Sequence, residues 1–225
     1  MKNILIIKHG SLGDLILSFG AIKTIKYHFP KVNLFLLTQT NFKAIFKNLP
    51  DVEHIFEDNR KKNLLSVINY LKILKEYEID LVVDLQNSRR TQLYHFFAKL
   101  FSKTKTLSAR KFSHYKYKQQ PLGFQHITQN HKDQLKFLKI DNYHITDLSW
   151  MAKSQKFNEK YVVIIPGASN VSKCYSIKKL AELTTLIDAN FLIIWGNSKE
   201  KVIADEIKRI SPKVTVCSKL SIDSL

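Results

Sequence analysis

Residues 4–22 read ILIIKHGSLGDLILSFGAI. Ile4–Ile7 is a short unbroken apolar run, the pattern of a strand buried on both faces of a parallel sheet. It passes through Lys8 into a turn that carries Gly10 and Gly13. Beyond Asp14, the residues Leu15, Leu17, Ala21, Ile22 and Ile25 recur at near-helical spacing, and Pro30 stops the helix. A strand that runs through a glycine turn into a helix is the opening unit of an open α/β sheet, in which ligands sit at the carboxyl ends of strands. Asp14 lies at that edge and reads in two ways. It caps the helix N-terminus, with Gly10 and Gly13 permitting the turn, or it is a carboxylate placed as a general base. The turn is neither the dinucleotide fingerprint G-x-G-x-x-G nor a Walker A loop.

The alternation continues outward. VNLFLL (32–37) reads as a strand, NFKAIFKNL as a short helix, Pro50-Asp51 as a turn and VEHIF as a short strand. A helix over 61–77 places Leu64, Leu65, Ile68, Leu71 and Leu74 on one face. IDLVVDL (79–85) is the clearest strand, and a helix runs from Arg89 to Phe101. Strands and helices alternating at these lengths predict a doubly wound α/β sheet. The stretch 102–130 is polar, basic and aromatic; it reads as one strand and a long loop, before a helix over 131–139. SWMAKSQKFNEK (149–160) reads as a linker. A second unit follows, with strands in YVVIIPGAS, FLIIWG and KVTVC and helices over 176–188 and 198–210. The expected organisation is a domain over 1–150 and an incomplete one over 158–225, whose three strands form a small sheet with exposed edges.

The 225 residues suffice for a core that needs no staples, and 44% hydrophobic with 24% charged residues is ordinary for a soluble protein. Cys174 and Cys217 make no disulfide framework and fit a reducing compartment; no cysteine–histidine cluster has metal-ligand spacing. MKNILIIKHG has too short an apolar core for a signal peptide, and no stretch approaches a membrane span, so a cytoplasmic protein is expected. A net charge of +17 favours polyanionic partners. The basic residues read as spread along the chain, a lysine-rich habit, and no aromatic–basic RNA-binding module is present, so nucleic acid is not expected as a partner.

Three strand ends carry candidate ligand groups. The first is the turn before Asp14. The second is DLQNSRRT after Asp84, where Arg89 and Arg90 stand at the ligand edge as phosphate binders. The third is PGASNVSK after Ile165, helped by WGNSKE after Trp195. Ser169, Ser172 and backbone amides at such a turn hold phosphate and Lys173 adds charge, or the stretch is a polar loop with a surface lysine. Glu200 either favours the dipole of its helix or accepts hydrogen bonds from a ribose.

Taken in order, ILIIKHGSLGDLILSFGAIKTIKYHFPKVNLFLLT, LPDVEHIF, IDLVVDLQNSRRTQL, HKDQLKFL, VVIIPGASNVSKCYSIKKLAEL and FLIIWGNSKEKVIADEI resemble the heptosyltransferases of lipopolysaccharide biosynthesis, glycosyltransferase family 9. The resemblance implies a GT-B architecture. One Rossmann-like domain would bind a lipid A–core oligosaccharide acceptor at the inner face of the inner membrane. The other would bind a nucleotide-sugar donor, typically ADP-heptose. It implies inverting, metal-independent transfer, with no cofactor beyond the ADP-sugar co-substrate. Asp14 matches the family's proposed catalytic base, and Lys173 the lysine on the donor diphosphate. Ser169 falls where a hydroxyl contacts phosphate and Glu200 where an acid meets the ribose. Gly10, Ser11, Gly13, Arg89 and Arg90 fall to the acceptor. Lys99, Lys103, Lys105, Arg110, Lys111, Lys116 and Lys118 either face that acceptor or belong to a solvated loop. Cys174 and Tyr175 depart from the Arg-Trp or His-Trp that usually follows the lysine. The family's Asp-Thr-Gly-x-x-His donor loop has no counterpart in these residues. The alternative reading is a truncated, catalytically inactive relative that binds saccharide or protein.

Overall fold

The computed structural model describes residues 1–59, 64–120, 124–151, 160–168 and 170–220. Six parallel strands, β1 (Asn3–Ile7), β2 (Asn33–Gln39), β3 (Val52–Asp58), β4 (Leu81–Asp84), β5 (Lys105–Ser108) and β6 (Tyr115–Lys116), form one sheet in the order β3-β2-β1-β4-β5-β6. Alternate residues of the inner strands serve opposite faces. Ile4, Ile6, Leu34, Leu36, Leu81 and Val83 pack with α1 (Leu12–His28), α2 (Lys43–Phe46) and α5 (Ile127–Leu135). Leu5, Ile7, Phe35, Leu37 and Val82 pack with α3 (Leu64–Glu76) and α4 (Arg89–Phe101). Helices on both faces are why these strands read as unbroken apolar runs. Strand order reverses between β1 and β4, and the crevice beyond their carboxyl ends is the place such sheets offer a ligand.

Three expectations are revised. First, α1 begins at Leu12 with Ser11 in the N-cap position, its side chain making no capping bond. Asp14 therefore lies inside the first turn and is not the cap. Second, the stretch after α4 holds two strands rather than one, because Tyr115 and Lys116 pair with Leu107 and Ser108 as the short β6. Third, α5 starts at Ile127, four residues before the expected helix, and its last turn tightens into a 3₁₀ turn, Lys136–Leu138. Apolar periodicity misses that start because the inward face of α5 is polar: Asn130, His131 and Gln134 are all buried.

In the second unit, β7 (Tyr161–Ile164), α6 (Ile177–Leu186), β8 (Asn190–Ile193), α7 (Ser198–Ile210) and β9 (Val214–Val216) form a parallel three-stranded sheet, β7-β8-β9, with both helices. Its core is Ile164, Leu180, Phe191, Ile193, Ala204, Ile207 and Val214. The chain divides into two compact units, Met1–Ala152 and Lys153–Leu225. Of the expected linker, Ser149–Met151 is a 3₁₀ turn whose Trp150 packs edge-on against Phe19 at 5.3 Å; 152–159 lies outside the described residues. Among the described residues no helix is long and apolar enough to cross a membrane.

Candidate functional site

The glycine turn after β1 is held from outside itself. His9 N and Gly10 N both donate to Gln86 Oε1, at 3.0 and 3.2 Å, and Gln39 Nε2 donates to the His9 carbonyl. Gly10 has φ +102°, and a Cβ there would lie 2.7 Å from Phe42 Cε2, so the turn demands glycine twice over. A side chain at Gly13 would meet nothing within 4 Å, and Ser11 is exposed. The chain then enters α1 and brings Asp14, half-buried, into its first turn, where the helix dipole favours a carboxylate.

Asp14 lines a cleft of about 800 Å³ at the carboxyl edge of the sheet, together with Lys8, Gln86, Asn87, Arg110, Lys116 and Lys118. It is the one acid among the described lining residues. Lys8 is only 2% exposed, and its amine reaches the Leu85 carbonyl at 3.4 Å. Burial holds that amine below the ordinary lysine value, and the Asp14 and Asp84 carboxylates oppose the shift. A carboxylate facing cations on a strand-end crevice can remove a proton from a hydroxyl, while the cations hold an anionic substrate.

The cleft floor is a buried polar network. Asp84 Oδ1 accepts from Gln86 N and Asn87 N, at 3.0 and 2.9 Å, which folds the loop after β4. Its Oδ2 meets His95 Nε2 at 2.9 Å and accepts from Ser108 Oγ at 3.0 Å. Burial pushes this carboxyl up, but the bonds from His95, Thr91 and the Asn87 amide outweigh it and keep the group below the usual range. Asn87 accepts from Ser108 Oγ and Ala109 N and donates to Gln134 Oε1 at 3.1 Å; Gln134 Nε2 donates to the Asp84 and Leu107 carbonyls. The ends of β4 and β5 are thus tied to α5. Sequence reasoning passed over Lys8, Gln86, Asn87 and Gln134. The available signal was DLQN itself, a polar run directly after the clearest strand.

The two arginines part company. Arg89 is exposed at the first position of α4. Arg90 turns inward, its Nε and Nη2 donating to Asp58 Oδ2 and Oδ1 at 3.0 and 2.5 Å, while Tyr94 Oη donates to Oδ2 at 2.7 Å. His9 Nε2 lies 3.1 Å from the same carboxylate. Arg90 thereby fastens β3 to α4 and is not among the cleft's lining. Of the seven loop cations, Arg110, Lys116 and Lys118 line the cleft, whereas Lys103 and Lys105 line a groove elsewhere. Nor is the charge evenly spread, as its first reading had it: residues 85–132 hold ten Lys and Arg and not one Asp or Glu.

In the second unit, Ser169 lies outside the described residues. Lys173 is exposed at the end of a 3₁₀ turn, Val171–Lys173, whose Ser172 N donates to Asn170 Oδ1 at 3.0 Å. Glu200 Oε2 accepts from Gly196 N and Oε1 from Asn197 Nδ2, both at 2.7 Å. A Cβ on Gly167 would collide with the same carboxylate. Glu200 is therefore bonded to the turn that follows β8 and packs against the glycine of the turn that follows β7.

A search of curated proteins returned no match. Among solved structures, the chain is similar to E. coli heptosyltransferase WaaC with ADP-2-deoxy-2-fluoro heptose: TM-score 0.77 at 17% identity, over 99% of this chain and 78% of that one. It is similar to the family 9 glycosyltransferase of Veillonella parvula, with TM-score 0.73 at 14% identity over 96% and 69%. It is also similar to E. coli ADP-heptose lps heptosyltransferase II, with TM-score 0.68 at 16% identity over 96% and 72%. At such identities these likenesses establish the fold, the Rossmann-like α/β fold of GT-B glycosyltransferases. The family model of glycosyltransferase family 9 (heptosyltransferase) matches residues 67–225, well over half of the sequence. The chain belongs to glycosyltransferase family 9, the heptosyltransferases.

Proposed function

We propose that the protein moves a heptose, or a related sugar, from an ADP-sugar to an inner-core lipopolysaccharide acceptor, with inversion and without a metal, at the cytoplasmic face of the inner membrane. The observation that carries this reading is Asp14, the one carboxylate among the described residues of a cation-lined cleft at the switch point of the large sheet. Asp14 takes the proton from an acceptor hydroxyl as that oxygen attacks the anomeric carbon from the face opposite the leaving ADP. Lys8, Arg110, Lys116 and Lys118 hold the anionic acceptor. Lys173 neutralises the departing diphosphate, Ser169 supplies a hydroxyl to phosphate, and Glu200 faces the ribose. Family membership supports the reaction class, and the sugar nucleotide of the WaaC structure supports the donor class.

The test is transfer from ADP-heptose to a Kdo–lipid A acceptor by the wild-type chain and by Asp14→Asn, which keeps the side-chain shape. A positioned base contributes roughly 10²–10⁴-fold, so kcat should fall by that factor with little change in acceptor KM. Unchanged turnover in the variant would remove Asp14 from the mechanism. Acceptor binding without turnover in the wild type would favour the inactive relative instead.

A further inference from the structure

A larger cavity than the cleft opens at the opposite edge of the first unit. This groove, of about 1180 Å³, lies where β4 and β5 begin. Leu71, Leu74 and Leu138 line it, and Phe101, Tyr115 and Phe137 stay exposed along it, at 69%, 46% and 51%. Leu100, beside Phe101, is 58% exposed. Phe101 ends α4 and Phe137 follows α5, so helices from opposite faces of the sheet bring two aromatics to one rim. Single exposed apolar residues need no account, but a set gathered around one groove does.

The charge on that rim is of one prevailing sign. Lys72, Lys75, Lys103 and Lys105 line the groove and are exposed. Lys99 stands next to Leu100, and Lys139 lies two residues after Phe137, while Lys136 is paired with Asp133 at 3.2 Å. The acids present are Glu78 and Asp80, and the Asp80 carboxylate already accepts from Lys2 N and Asn3 N. Aromatics ringed by lysines match the interface of an anionic bilayer, where rings enter the headgroup–acyl boundary and ammonium groups meet the headgroups. A second copy of the chain is a poor fit, because two surfaces of a protein with net charge +17 repel.

We propose that this groove face docks the protein onto a bilayer of anionic phospholipid. Strand β6 joins it to the cleft: Tyr115 lines the groove, and the next residue, Lys116, lines the cleft. A four-residue strand such as β5 spans about 13 Å, so about one strand length separates the groove where β5 begins from the carboxyl edge that carries the cleft. A lipid-anchored acceptor would be presented at the cleft edge. That last link rests on the transferase reading; the docking does not.

Flotation of the purified chain with phosphatidylcholine vesicles, with and without phosphatidylglycerol, tests it. The protein should float with the anionic vesicles and not with the neutral ones. Lys103→Ala/Lys105→Ala should lower partition by roughly tenfold or more. Phe101→Ser/Phe137→Ser should lower it as well, with the circular dichroism spectrum unchanged. Lys178→Ala/Lys208→Ala, on α6 and α7, removes the same charge and should leave partition as in the wild type. Equal flotation with neutral vesicles overturns the proposal. So does an equal loss in the α6/α7 pair, and so does a concentration-dependent dimer abolished by the two Phe substitutions. No donor or acceptor enters this assay, so its failure leaves the transferase reading standing, and an inactive protein that docks leaves this one.

Discussion

Gly10 adopts a left-handed φ of +102° with the Phe42 ring against the space a side chain would need. Gly10→Ala should cost about 1–3 kcal/mol through strain alone, read as a lower urea midpoint. Adding Phe42→Ala should return only the steric part. The turn itself was legible, since two glycines between a strand and a helix leave little else to expect. Its surroundings were not. Gln86, which holds the turn, is 77 residues from His9, and Asp58, which captures Arg90, is 32 residues upstream of it. A one-dimensional pattern carries no sign of such pairings. Asp14 shows the same limit at short range. Its place at the ligand edge was readable, but a helix starting two residues earlier, at Leu12, took away the capping role.

Helix α5 carries the clearest pH dependence. His131 is 1% exposed, and among the described residues neither ring nitrogen has a hydrogen-bond partner. Burial, then the nearby charges of Lys8 and His126, push it down to about 3. In the unfolded chain it takes a proton near pH 6.5. The folded value lies below the unfolded one, so stability present above pH 6.5 is lost as the pH falls towards 3, at up to about 1.4 kcal/mol per unit. Urea unfolding at pH 7 and pH 5 should differ by about 2 kcal/mol from this group, and His131→Leu should remove that share of the difference. The buried histidine also explains an error in reading. Helices α1, α3, α4, α6 and α7 declare themselves by apolar faces, whereas α5 turns Asn130, His131 and Gln134 inward, where Gln134 bonds the cleft floor and Asn130 accepts from Gln125. Polar burial of that kind obeys hydrogen-bond geometry, which leaves no hydrophobic period. Similarly, β6 is two residues long, too short for alternation to register.

Across the molecule, charge is concentrated where the cleft and the groove lie. With ten cations and no acid between 85 and 132, Arg110, Lys116 and Lys118 stand on a cleft whose one acid among the described lining residues is Asp14. Such fields weaken as salt shortens the screening length to about 8 Å at 0.15 M. Acceptor KM should therefore rise with ionic strength while kcat holds. Lys116→Glu/Lys118→Glu should raise acceptor KM severalfold, flatten that salt dependence and leave donor KM in place; an equal rise in donor KM would point to a general loss of the site. The sheet order has a different kind of consequence, in the order of synthesis. β1 is made before the two strands that flank it and lies in the middle of the finished sheet, with Ile4 paired to Leu34 on one side and to Leu81 on the other. One edge of that strand thus waits on the growing chain until β4 has been translated, because α1, β2, α2, β3 and α3 are all made earlier and none of them pairs with that edge. Non-local parallel pairing of this sort folds slowly and leaves apolar edges open to wrong partners meanwhile. The glycine turn after β1, fixed by Gln86 just beyond β4, takes its final shape only when that late strand arrives.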